Sequence, residues 1–258
     1  MRSLLLATLL LACSERMPDA ALSDPGLGAL AGAYVRGADP NWDEKLALDA
    51  EGRFDRRYSS NCTGQHQYSG SASVEAGRLV LHGVPADPQA AASIETMGLN
   101  RFHVVPWSGR VYLVEEAGIQ GFCNWVNQGR EPRDARDGSF LMRDGDWLLP
   151  ASGLPDVPPD WKHLLLEREL DATITELVDD AGRIEFGLDD GLREGMVLVA
   201  RDVPTPPDFV ARGAGTKKDV TLEIVELHPD WCLVLPTYFM TSPPLEVGMR
   251  VTSRAVDR

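Results

Sequence analysis

Long hydrophobic runs and positive charge are both scarce in this chain of 258 residues. The apolar run Leu4–Leu11 is far shorter than the ~20 residues that a membrane-spanning helix needs, and no later stretch is apolar enough. Lys and Arg number 25 against 39 Asp and Glu, which gives a net charge of −14. Nucleic-acid binding needs a Lys/Arg surface, and Lys217-Lys218 is the one basic cluster. The sequence therefore argues against both a spanning helix and a nucleic-acid partner.

Motifs for metal, cofactor and catalytic sites are missing as well. The five histidines are scattered, and the chain has no HExxH, no CxxC, no phosphate-binding loop, no dinucleotide fingerprint, no Gly-x-Ser-x-Gly elbow and no CxxCH. We therefore expect no metal and no cofactor, and the chain is predicted to be non-enzymatic.

The first thirteen residues follow the order of a secretory signal. Met1-Arg2-Ser3 carries one positive charge, an apolar run follows, and Ala12 is a small residue at the cleavage point. Because Cys13 comes next, Leu10-Leu11-Ala12-Cys13 resembles the lipobox of bacterial lipoproteins. The resemblance implies that residues 1–12 are removed and that Cys13 is acylated, with palmitate among the acyl chains. The alternatives are an ordinary secretory signal with a chance cysteine, or an internal helix.

The segment after Cys13 bears on the location of the protein. The residue after Cys13 is Ser14 and not an aspartate. In bacterial lipoproteins this implies sorting to the outer membrane, with the body of the protein facing the periplasm. Residues 13–30 are small, acidic and turn-rich, so we expect a flexible tether with a reach of ~20 Å. An acidic body would be repelled by anionic headgroups, and the acyl group alone is expected to touch the membrane.

Residues 31–150 show the pattern of successive β-hairpins. Lys45-Leu46-Ala47-Leu48 alternates, a turn follows, and alternation resumes over residues 53–58. Further hairpins are predicted at 68–81, 102–114 and 140–149. The fold class is therefore predicted as mainly β (α+β), with an antiparallel meander that is curled or closed into a barrel. One helix is predicted in this domain, at residues 115–128, since its apolar residues Ile119, Phe122, Cys123 and Val126 share one face.

The C-terminal part is predicted to be a second, smaller body. Residues 151–170 form a Pro-rich linker, and residues 171–258 repeat the strand pattern as a small β-barrel. Leu192-Arg193-Glu194-Gly195-Met196 and Leu245-Glu246-Val247-Gly248-Met249 share one shape, in which Gly-Met opens a strand. The last third thereby resembles the small SH3-like barrels of bacterial envelope and flagellar-assembly proteins. That resemblance implies a fold and carries no chemistry.

Three cysteines remain once Cys13 is acylated. An oxidising periplasm permits a bridge, and Cys62–Cys123 is the candidate disulfide because both residues lie in the first domain. Cys232 would then be left free. The alternative is that all three are buried and reduced, as small apolar residues.

The densest group of functional residue types lies between Asn100 and Arg133. A candidate binding surface comprises Trp107, Asn124, Trp125, Arg130 and Arg133, since aromatic residues and arginine are enriched at interfaces. The alternative is structural, with the polar residues capping the helix and pinning the chain that follows it.

Three functions are left open by the sequence. The favoured one is a membrane-anchored periplasmic lipoprotein that acts as an envelope binding or assembly module for an envelope protein. The charge of −14 suggests an inhibitor or scavenger of basic envelope-directed proteins. Cys123 with His103 would suggest a cysteine-dependent hydrolase, because a thiolate needs a base. The apolar surroundings predicted for Cys123 oppose that alternative.

Overall fold

The computed structural model describes residues 26–39, 42–60, 64–83, 85–130, 140–204, 217–237 and 244–254. These residues form fifteen strands and three α-helices. The first body contains α1 (Leu27–Leu30), β1 (Gly32–Asp39), β2 (Trp42–Leu48), β3 (Arg53–Ser60), β4 (Gly64–Glu75), β5 (Arg78–His82), α2 (Pro88–Met97), β6 (Arg101–Trp107), β7 (Arg110–Glu115), α3 (Ile119–Asn127) and β8 (Phe140–Arg143). The second contains β9 (Asp171–Thr173), β10 (Glu176–Val178), β11 (Ala181–Ile184), β12 (Val197–Pro204), β13 (Lys217–Leu227), β14 (Cys232–Pro236) and β15 (Arg250–Thr252).

Strands β1 to β8 form a closed antiparallel barrel in chain order. Each strand pairs with the next, and the pairing of Tyr34 with Arg143 and of Val35 with Met142 joins β1 to β8. Alternate side chains point inward, because successive residues of a strand face opposite sides. Tyr34, Leu46 and Phe54 are among the inward residues of the apolar core. The predicted mainly-β fold class with a meander closed into a barrel is confirmed.

Short helices cover both ends of this barrel. At the lower end, which carries the β2–β3 and β6–β7 turns, Tyr34 Oη donates to the carbonyl oxygen of Leu30 at 2.8 Å. Arg143 donates to the carbonyl oxygen of Ala29 at 2.6 Å, so α1 is attached there. At the upper end, α2 buries Ile94 among the barrel core residues. Both ends of the interior are therefore covered by the chain itself.

The outer face of β6, β7 and β8 is buried as well. The apolar side of α3 packs on it, and the rings of Tyr112, Phe122 and Phe140 meet edge to face with centroids 5.4–5.8 Å apart. Val157 and Trp161 belong to the same core. This second layer explains why these strands are apolar on both faces, where a strand exposed on one side would alternate.

The second body is a seven-stranded antiparallel sheet in the order β10-β11-β14-β13-β12-β15-β9, curled into a half-barrel. Its two edge strands, β9 and β10, are separated in the chain by Ile174 and Thr175 alone. The Ile174 amide donates to Met249 on one side, and the Thr175 amide donates to Arg183 on the other, both at 2.9 Å. The two edges are thus connected by continuous chain around one apolar core.

Three local predictions differ from the structure, and the predicted linker contains a short helix. Helix α2 was not predicted, because Ile94 is the one apolar side chain described as buried along this Ala-rich segment. Residues 146–148 form a 3₁₀ helix where a strand was predicted, since Gly145 has a φ of 88° and turns the chain. The predicted tether ends in α1, which packs on the barrel. Within the predicted linker, residues 159–164 form a 3₁₀ helix, and Trp161 is buried against α3.

Candidate functional site

A groove of about 340 Å³ lies where the barrel meets the half-barrel. Its lining is more polar than apolar, and it comes from distant parts of the chain. The walls include Trp107, Val126, Ala151, Leu154 and Leu166, and the rim includes Glu167, Arg168, Glu169 and Arg254. Its size falls within the range of about 300–1,000 Å³ typical of ligand sites.

Hydrogen bonds hold the two walls of the groove in place. At the C-terminal end of α3, Asn127 Nδ2 donates to the carbonyl oxygen of Leu164, and its Oδ1 accepts from the amide of Leu166, each at 2.9 Å. Across the groove, Trp107 Nε1 donates to the carbonyl oxygens of Ser152 at 3.3 Å and Gly153 at 3.2 Å. The groove is therefore formed before any ligand arrives.

The rim carries charges of both signs that remain accessible. Arg168 Nη2 lies 2.8 Å from Asp190 Oδ1, and Arg254 Nη1 lies 3.7 Å from Glu169 Oε2. The two arginine side chains nevertheless remain 66% and 60% exposed. Gly129 ends α3 with a φ of 70°, and a Cβ there would lie 2.5 Å from Arg254 Nε. Glycine therefore allows Arg254 to cross the end of the helix.

The predicted binding residues are not one exposed surface. Trp107 is buried and lines the groove. Asn124 is buried where the two bodies meet, since its Nδ2 donates to Gly195 at 2.9 Å and its Oδ1 accepts from Val197 at 3.3 Å. Trp125 and Arg130 are half-buried, with the guanidinium 5.5 Å from the ring centroid. Arg133 lies outside the described residues.

The polar residues of α3 were expected to cap the helix and pin the chain that follows it, and the two asparagines have a different structural role. Asn124 and Asn127 both pin backbone to α3, although the chain they hold is the segment near Leu164 and the start of β12, which are far along the sequence. The residues that complete the groove, Arg168 and Arg254 among them, were missed. Surface charges scattered along the sequence show no periodicity, so no pattern marks these two arginines as neighbours.

Cys123 and Cys232 are both buried, and burial raises the pKa of each thiol to about 12. Cys62 lies outside the described residues, so its bridge to Cys123 stays a prediction. The His103 ring is tilted by 56° against the Trp161 ring, with the centroids 4.4 Å apart, and His103 Nε2 lies 3.4 Å from Glu116 Oε2. Burial and then the charge of Arg78 lower the pKa of His103.

No hydrogen bond among the described residues joins Cys123 to His103. A thiol with a pKa near 12 is not ionised at neutral pH and is a poor nucleophile. The arrangement gives no support to the hydrolase alternative.

Both thiols should resist alkylation in the folded protein. In a Cys13→Ala, Cys62→Ser variant, we expect iodoacetamide at pH 8 to add no mass to the native chain, because Cys123 and Cys232 are buried and protonated. The same chain in denaturant should gain two adducts, which mass spectrometry would count. Rapid native labelling of Cys123 would instead revive the hydrolase alternative.

Inside the barrel lies a buried group of four charges that the sequence analysis did not identify. Arg36 contacts Glu44 at 2.9 Å and Glu115 at 2.8 Å. Arg56 forms ion pairs with Glu44 and, at 3.3 Å, with Glu115. We call Arg36, Glu44, Arg56 and Glu115 the lumen ion network. Its side chains are at most 10% exposed.

Further contacts surround Arg56. Its Nη1 donates to Tyr68 Oη at 2.9 Å and to the carbonyl oxygen of Leu99, which follows α2. The guanidinium also lies 5.2 Å from the ring centroid of Phe102. Burial alone would lower the pKa of Arg56, but the charges of Glu44 and Glu115, with Tyr68, raise it overall. Arg56 is therefore a permanent cation inside the barrel.

The lumen ion network joins four strands, because its residues lie on β1, β2, β3 and β7. Burial, partly offset by Arg36, raises the pKa of Glu115 on β7. A signal for these residues did exist in the sequence. Arg36, Glu44 and Arg56 occupy positions that share the inward phase with Tyr34, Leu46 and Phe54, where an alternating strand would normally place apolar residues.

Comparison with protein-family models, curated proteins and solved structures finds no match to this chain. Among the described residues, no group of three or more His, Cys, Asp or Glu side chains could hold a metal ion. In the same part of the chain, no helix is long and apolar enough to cross a membrane. The class of the protein is thus a two-body β protein with a groove at the junction of the bodies.

Proposed function

We propose that this protein is a lipid-anchored binding module of the bacterial envelope, held at the outer membrane through Cys13 and facing the periplasm. The ligand is a segment of another envelope protein, bound in the groove between the barrel and the half-barrel. The observation that carries the proposal is the groove itself, with a few apolar side chains in a mainly polar lining and accessible charges of both signs on its rim.

The groove suits a polypeptide segment for two reasons. Trp107 and Leu154 offer an apolar surface for one anchoring side chain, and tryptophan and arginine are enriched at interface hot spots. Arg168 and Arg254 alternate along the rim with Glu167 and Glu169, so flanking charges of either sign on the segment find a partner. Because the walls are already formed, binding loses little conformational entropy.

The lipid anchor is supported by the sequence. The string Leu10-Leu11-Ala12-Cys13 has the order that acylation requires, and several acyl chains are needed for stable anchoring. Residues 14–25 then lead to α1 at the lower end of the barrel. The groove would lie at a short distance from the membrane surface, where an envelope protein could reach it.

Photo-cross-linking in intact envelopes tests the groove. Glu167 on its rim is replaced by p-benzoylphenylalanine, and Glu223, an exposed glutamate of β13 outside the groove, is replaced in a control. We expect a defined cross-linked protein with Glu167 and none with Glu223. Arg254→Glu should strongly reduce the yield, because loss of a hot-spot arginine costs about 2 kcal/mol or more. Arg57→Glu, on the outside of the barrel, should leave it unchanged.

Two outcomes would contradict the proposal. Equal cross-linking at Glu167 and Glu223 that disappears at high salt would favour the scavenger of basic proteins. A mature N-terminus that is unmodified or begins at a residue other than Cys13, measured by mass spectrometry, would remove the lipid anchor.

A further inference from the structure

The lower end of the barrel presents an exposed apolar rim. Leu148 and Leu149 are 68% and 40% exposed, and we call these two residues the leucine rim. Leu149 lies against the β6–β7 turn at Ser108 and Gly109, and Leu148 precedes Leu149 in the chain. The Leu149 side chain lies 3.8 Å from the position of a Cβ on Gly109, and Ser108 Oγ donates to the carbonyl oxygen of Ser152 at 2.9 Å.

The leucine rim is held by a rigid frame. The amide of Leu148 donates to Gly145 at 3.1 Å, and the carbonyl oxygen of Leu149 accepts from the buried Arg110. Asp146 accepts from the amide of Val111 at 2.8 Å, which fixes the 3₁₀ turn to β7. The exposure of these leucines is therefore built into the fold. Ordered apolar side chains grouped at one end of a protein commonly mark a contact with a partner or a membrane.

The course of the chain indicates which contact this is. Twelve residues, 14–25, separate Cys13 from Gly26. The flexible tether expected from this sequence would span ~20 Å on average. It leads to α1, and α1 covers the same end of the barrel that carries the leucine rim. An acyl chain on Cys13 would therefore favour this end of the barrel as the one closest to the membrane.

We propose that the leucine rim contacts the membrane surface, at the boundary between headgroups and acyl chains, and so orients the protein on the bilayer. The proposal rests on the lipid anchor of the proposed function. It goes beyond the expectation that the acyl group alone touches the membrane. Because Asp144 and Asp146 lie on the turn before the rim, the surface it fits is zwitterionic; anionic headgroups would repel it.

An environment-sensitive side chain tests this contact. Dansylalanine replaces Leu148 in the full-length acylated protein, and in a matched control it replaces Val247, which is 61% exposed on the second body. Each protein is reconstituted into phosphatidylcholine vesicles with and without a spin-labelled lipid. We expect a blue shift and quenching by the spin label at Leu148, and emission typical of water without quenching at Val247.

Vesicle flotation separates the two proposals. A chain that does not float with the vesicles removes the lipid anchor and hence the proposed function. A chain that floats but shows neither shift nor quenching at Leu148 overturns the membrane contact and leaves the anchor standing. A blue shift without quenching also overturns it, because the rim would then be covered by protein, either residues 14–25 or a second copy of the chain.

Discussion

Replacing Arg56 with alanine should lower the free energy of unfolding by about 3–5 kcal/mol, the range observed when one partner of a buried ion pair is removed. Arg56 contacts both Glu44 and Glu115, and each carboxylate is almost fully buried. Its loss leaves two acidic groups in the barrel with Arg36 alone to compensate. Urea unfolding followed by circular dichroism would measure the change.

Arg57→Ala provides the control for this prediction. Arg57 is the next residue of β3 but faces outward, where its nearest described contact is Gln67 at 3.5 Å. Its replacement should change stability by no more than ~0.5 kcal/mol. The double variant Glu44→Leu, Arg56→Met should cost less than Arg56→Ala, because it removes opposite charges together. An Arg56→Ala protein as stable as Arg57→Ala would contradict the role given to the lumen ion network.

Gly187→Ala should destabilise the half-barrel by about 3 kcal/mol or more, at the upper end of the usual effect of overpacking. A Cβ on Gly187 would lie 2.3 Å from the carbonyl oxygen of His228 and 2.5 Å from that of Pro229. These atoms belong to backbone that the amides of Leu188 and Asp189 hold at 2.9 and 2.8 Å. The clash can be relieved only by moving one chain segment away from the other. A thermal unfolding scan should show a lowered midpoint.

Replacing Gly121 with alanine should instead stabilise the folded protein. Gly121 lies on the exposed side of α3, and a Cβ there would meet no atom within 4 Å. Alanine favours a helix over glycine by about 0.8–1.0 kcal/mol, so Gly121→Ala should raise the unfolding midpoint. Equal effects at Gly187 and Gly121 would show that general glycine propensity, and not the close backbone approach, controls both positions.

The strands of both bodies were predictable because their alternation is local. The hairpins predicted at 45–58, 68–81 and 102–114 match β2–β3, β4–β5 and β6–β7, and α3 was indicated by the shared face of Phe122, Cys123 and Val126. The last hairpin was wrong, since Trp147-Leu148-Leu149 has the composition of a strand but follows a glycine with a left-handed φ. Helix α2 was missed because it has little apolar periodicity.

The candidate site was less predictable because it is assembled from distant segments. Trp107 was selected from its neighbourhood in the sequence, and it does line the groove. Asn124 was selected in the same way, but its amide is used to join the two bodies. Arg168 and Arg254 are separated by 86 positions, and only the meeting of the bodies places them on one rim.

What the sequence determined by itself was therefore the class of fold, which depends on patterns that span a few residues; the acylation of Cys13 rests on such a local pattern too and stays a prediction. The tertiary structure alone decided the closure of the barrel, the groove, the leucine rim and the lumen ion network. Closure pairs β1 with β8 across more than a hundred residues, and the network needs Glu115 to reach Arg36 and Arg56 through the barrel interior. Such contacts depend on how the strands are arranged in space, and no local pattern of residues encodes that arrangement.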